Sequence, residues 1–94
     1  MTTIAVRYLY DQTADERRAQ YREIHRDFLR TLLSEGIVLA SGAVSVPKGA
    51  LIILAADSPQ AALDILTDDP FLTAGGIIVE RSAQVWDVAI GAVG

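Results

Sequence analysis

The chain has 94 residues, a formal net charge of −4, a single histidine and no cysteine, and 51% of it is apolar. That length makes one domain, 1–94, with a core that is adequate but not generous. The composition excludes disulfides, thiolate chemistry and cysteine metal sites, offers no basic excess to a nucleic acid, and leaves too few donors for a dedicated transition-metal centre.

Residues 3–10 alternate as a strand, with Ile4, Val6, Tyr8 and Tyr10 on one side and Ala5, Arg7 and Leu9 on the other. Asp11 and Gln12 end it. Thr13 reads as a helix N-cap with Glu16 completing a capping-box pattern, and the helix is predicted to reach Glu35 and stop at Gly36. Tyr21, Ile24, Phe28 and Leu32 form its apolar stripe, and His25 falls inside that stripe. Its arginines alternate with Asp15, Glu16, Glu23 and Asp27, the pattern of a solvated face.

A β-rich segment, Ile37 to Val46, is interrupted by Ser41-Gly42 and followed by a turn at Pro47-Lys48-Gly49. Ala50 to Ala56 is the next strand, so the two are expected to form a hairpin. Ser58 and Pro59 open a second helix, with Ala61, Ala62, Ile65 and Leu66 as its apolar face, which ends before Asp69-Pro70. Gly75-Gly76 leads into a last strand from Ile77 to about Ile90. The order βαββαβ predicts an α+β, ferredoxin-like sandwich: a four-stranded antiparallel sheet with both helices on one face.

Such a sheet has one face without helices, and polar residues are expected there if it meets water. Leu51, Ile52, Ile53 and Leu54 show no polar alternation, and Ile77, Ile78 and Val79 behave alike. A homodimer packed sheet to sheet is the expected cover. The apolar runs Ile37–Ala40 and Leu51–Ala56 are too short to span a bilayer, and the first residues show no charged leader before an apolar stretch. No membrane partner and a cytoplasmic location are therefore expected.

The candidate chemistry centres on His25. A lone histidine on an apolar face is either a packed side chain with satisfied nitrogens or part of a site, and both readings require a hydrogen-bond partner. Asp69 is the best carboxylate for this, because Pro70 fixes its backbone and Phe71 anchors the segment; a simple helix-stopping turn is the bland alternative. Together the two side chains make a pair suited to proton transfer. Ser41 is a candidate hydrogen-bond donor to substrate, or only a strand residue beside a bulge. Arg22 and Arg7 are candidate partners of an anionic substrate, against solvated side chains. Tyr8 and Trp86 are candidate walls for a flat ligand, against ordinary packing. No nucleophile elbow and no phosphate-binding glycine loop is present.

With those elements placed, the chain resembles the YciI-like (YCII-related) family. The resemblance runs through Tyr10-Asp11, Arg22-Glu23-Ile24-His25, Phe28-Leu29, Ser41-Gly42, Gly49, Asp69-Pro70-Phe71, Gly75-Gly76 and Trp86. Ala43 departs from it, standing where relatives often carry proline. The resemblance implies a dimeric α–β barrel with a histidine–aspartate pair in a cleft between the first helix and the sheet, and a few lyase-like or dehydrochlorinase-like relatives. The leading expectation is a cofactor-free enzyme in which His25, oriented by Asp69, moves protons on a small molecule. A dimeric small-molecule binding module and an accessory protein are the alternatives.

Overall fold

Alternating burial along the first segment decides which way the sheet faces. In the computed structural model, which describes residues 1–93, strand β1 (Thr2–Tyr10) buries Ile4, Val6, Tyr8 and Tyr10 and leaves Arg7 exposed. The alternating residues pack on the helices because a strand's side chains point to opposite faces.

The chain then turns through Asp11 rather than Thr13. Asp11 Oδ1 accepts from the Thr13 amide at 2.8 Å and from its hydroxyl at 2.6 Å. The expected capping box at Thr13 is therefore corrected: this local turn engages the threonine hydroxyl, and Ala14 occupies the N-cap of helix α1 (Asp15–Ser34) without a side-chain cap. Asp15 and Glu16 in the first turn suit the positive end of the helix dipole. The far end is as expected. Gly36, at φ +76°, donates to Leu33 O and Ile37 donates to Leu32 O, a Schellman closure. The buried face is centred on His25 and Leu29, with Tyr21, Phe28 and Leu32 half-buried beside them. Ile24 lies off that face and is 51% exposed, so the predicted stripe is rotated by about one residue.

β2 (Val38–Ser45) and β3 (Lys48–Ala56) form the expected hairpin, with a register irregularity between Val38 and Ala40. α2 (Pro59–Ile65) is capped by Ser58 Oγ, which accepts from the Ala61 amide at 3.1 Å. A single 3₁₀ turn (Leu66–Asp68) follows, and then α3 (Pro70–Thr73), a short helix absent from the sequence reading. Its cap is Asp69.

β4 (Ile78–Val85) is shorter than expected. It pairs only with β1, whose last available partners are Ile4, opposite Val85, and Thr3, whose carbonyl accepts from the Trp86 amide. Beyond that point the partner strand ends, and the chain to Ile90 leaves the sheet.

The sheet order is β2-β3-β1-β4, antiparallel throughout, which is the ferredoxin-like arrangement. Ile4, Val6, Ile52, Leu54, Ala62, Leu66, Phe71 and Ile77 form the core between sheet and helices. The register places Ala5, Leu9, Leu51 and Ile53 on the other face. Arg7 shares that face opposite Leu51 and Ser82, and β4 contributes Glu80, Ser82 and Gln84, so the second face is mostly apolar over its central strands, with one arginine among them, and polar along one edge. The expected lack of polar alternation at Ile77, Ile78 and Val79 does not continue along β4.

Candidate active site

Asp69 has zero exposure, and an isolated carboxylate there would be expensive. Three donors surround it. His25 Nδ1 lies 2.7 Å from Oδ1, the Phe71 amide donates to Oδ1 at 2.9 Å, and the Tyr8 hydroxyl donates to Oδ2 at 2.9 Å. Each comes from a different element. His25 projects from the buried face of α1, Tyr8 from the inward side of β1, and the amide from the first turn of α3. As N-cap, Asp69 ties its own side chain to the helix it starts, with Pro70 preset for the first helical position.

α3 is itself held against α1. Arg17 Nε donates to Gly75 O and Nη2 to Ala74 O, both at 2.6 Å. Gly75 and Gly76, at φ +74° and +75°, supply the left-handed backbone that lets the chain turn under that guanidinium and on into β4. The imidazole is fixed in a second direction as well. It stacks on Phe71 at 3.8 Å with the planes 2° apart, and Phe71 meets Tyr10 edge to face at 5.7 Å.

With Nδ1 directed at the carboxylate, Nε2 makes no hydrogen bond to a described residue and is not shut away from solvent. His25 lines a cleft of about 620 Å³ between α1 and the β2–β3 hairpin. Tyr10 and Phe71 form the floor with it. Arg18, Arg22 and Arg26 line the helix side, and Ser41, Gly42, Ala43 and Lys48 line the hairpin side. Burial, then the negative charge of Asp69, pushes the Tyr10 hydroxyl up to about 12. Burial and the same carboxylate also raise Tyr8, so both phenols remain neutral donors at physiological pH.

The structure therefore brings His25, Asp69, Ser41 and Arg22 to one place. Tyr8 joins them from behind: its hydroxyl reaches Asp69 and it is not part of the cleft wall, so its predicted contact with a flat ligand is replaced by a hydrogen bond to the carboxylate. Trp86 does not join them. It lies past the end of β4, beside Thr3 at the opposite end of β1 from Tyr10, and is 40% exposed. Arg7 lines a separate hollow of about 280 Å³ with Glu80 and Ser82. Arg18, Arg26 and Lys48 were not singled out from the sequence, because alternating charges at helical spacing look the same on a solvated face and on a cleft wall. Phe71 was seen as an anchor, not as the surface on which His25 lies.

Comparison with solved structures places this architecture beside 5-chloro-2-hydroxyhydroquinone dehydrochlorinase from Burkholderia phenoliruptrix AC1100, in complex with 2,5-dihydroxybenzoquinone. The TM-score is 0.75 over 90% of this chain and 93% of that one, at 16% identity. At that identity the likeness shows a shared fold. Comparison with curated protein sequences finds no match. The profile of the YCII-related domain matches residues 1–87, nearly the whole chain. The protein belongs to the YCII-related domain family.

Proposed function

We propose that the protein is a small-molecule enzyme in which His25 is the general base and acid and Asp69 is its orienting partner. The observation that carries this reading is the division of labour on one ring: Nδ1 meets a fully buried carboxylate at 2.7 Å, and Nε2 has no partner among the described residues on a side chain that lines the cleft. A purely structural histidine would be expected to have both nitrogens satisfied. Asp69 selects the tautomer with the proton on Nδ1 and stabilises the imidazolium formed when Nε2 accepts a second proton. The three donors on Asp69 keep the carboxylate in place through the cycle.

The reaction class is isomerisation or elimination on a small cyclic or carbonyl-bearing molecule. In isomerisation, Nε2 takes a proton from carbon or hydroxyl, the electron pair moves into the ring, and the same proton returns to another atom. In elimination, the electron pair expels a leaving group on the neighbouring carbon. The chemistry named for the dehydrochlorinase of like fold is of the second kind. Ser41 and Tyr10 line the same cleft, which supports a role for their hydroxyls in hydrogen-bonding a substrate oxygen.

His25→Asn is the test. An enzyme loses turnover by about 10²-fold or more and retains ligand affinity. A binding module instead loses affinity, and that result would overturn the catalytic reading.

We also propose that the protein pairs with a second copy through the open sheet face, where Ala5, Leu9, Leu51 and Ile53 surround Arg7 and Glu80, Ser82 and Gln84 form the polar margin.

A further inference from the structure

The helix wall of the cleft is cationic in a protein of net charge −4. Arg18, Arg22 and Arg26 follow at intervals of four on α1, and Lys48 faces them from β3. Two acids offer partial balance. Asp15 accepts from Arg18 Nη2 at 2.7 Å and from Lys48 Nζ at 2.9 Å, and Glu23 stands 3.9 Å from Arg26. Arg18 Nη1 is buried with no hydrogen-bond partner among the described residues. Arg22 makes no ion pair among them. The Arg18 guanidinium lies 4.9 Å from the Tyr10 ring centroid, and both Arg18 and Arg22 are near enough to the Tyr10 hydroxyl to pull its ionisation down against burial. Arg22 precedes His25 by three positions on the same helix face.

A buried N–H of a permanently charged group without a partner is a costly arrangement. A negative charge held at Arg22 and along the exposed edge of the Arg18 guanidinium offsets that cost through space, Nη1 itself being shut off from solvent. We propose that the substrate carries a carboxylate, seated on Arg18 and Arg22 beside Tyr10, which presents its ring to Nε2 of His25. This rests on the assignment of the cleft as the active site and specifies the substrate class. A planar carboxylate matches a guanidinium fork with two parallel hydrogen bonds, and the ring beyond it meets the apolar floor. The arginines then bind and orient, and His25 moves the proton.

The experiment compares two probes that share a ring and differ in charge, 2,5-dihydroxybenzoate and its methyl ester, by isothermal titration against the 94-residue chain. The acid is expected to bind at least roughly tenfold more tightly than the ester. Arg22→Gln is expected to bring the two affinities within about threefold by weakening the acid alone. Arg30→Gln, on the exposed side of α1 where it pairs with Asp27, is expected to leave their ratio unchanged, which controls for general electrostatic attraction. Equal affinities in the wild type, no binding of the acid at millimolar concentration, or a ratio that survives Arg22→Gln overturns the proposal. Failure of the acid–base reading is read separately, because His25→Asn leaves the acid-to-ester ratio intact whether or not His25 transfers protons.

Discussion

Tyr8 shows how closely the carboxylate is supported. Its hydroxyl is the only donor to Asp69 Oδ2 among the described residues. Tyr8→Phe removes that donor and leaves a fully buried oxygen unpaired, so it is expected to destabilise the protein by about 1–3 kcal/mol, measured by urea unfolding. Both phenols also set an alkaline limit. Tyrosine in the unfolded chain ionises near 10.0, and Tyr10 in the folded protein near 12. Stability from this difference is complete below pH 10 and is lost as pH rises towards 12, at no more than about 1.4 kcal/mol per pH unit for each tyrosine. Tyr8, also raised, adds to the slope, and Tyr8→Phe should make it shallower. An unchanged slope in that variant would contradict the raised ionisation of Tyr8, which burial causes first and Asp69 second. The His25–Asp69 pair could be anticipated from the chain alone, because an inward histidine demands a partner and Asp69 was the best-braced acid. The unpartnered Nη1 of Arg18 could not, since its burial depends on how α1 sets that guanidinium against Tyr10 of β1.

At the level of elements, the caps that act within a few residues were readable. Ser58-Pro59 opens α2 and Gly36 closes α1 as their local chemistry dictates. Thr13 was misread because two local hydrogen bonds compete for one short segment, and the Asp11 turn wins. α3 was missed because four residues carry no periodicity, and its position depends on Arg17, which precedes it by more than fifty residues in the chain. Gly49 marks the tightest crossing of elements. A Cβ there would come 2.1 Å from the Tyr8 carbonyl oxygen on β1. Gly49→Ala must push β3 away from the strand that carries Tyr8, so a loss of about 2 kcal/mol or more in thermal or urea unfolding is expected. A neutral result would mean that the two strands can separate without cost.

For the whole molecule, βαββαβ order, antiparallel pairing and the inward residues of β1 followed from periodicity and turn chemistry. The mixed character of the second face did not, because the polar residues of β4 fall on it only through the register with β1. Sheet-to-sheet pairing is expected to appear as a dimer of twice the 10.1 kDa chain mass in sedimentation equilibrium, and Leu51→Glu should shift it to the monomer. A wild-type chain that sediments as a monomer at high micromolar concentration would overturn the pairing and leave the cleft untouched. All of the catalytic reading returns to one ring and the proton it holds. Long-range ¹H–¹⁵N correlation spectra of His25, recorded across a pH series and read in the neutral form of the ring, test it most directly: the account predicts a protonated Nδ1 and an Nε2 with the shift of a bare lone pair, and the opposite tautomer, with hydrogen on Nε2, would contradict it.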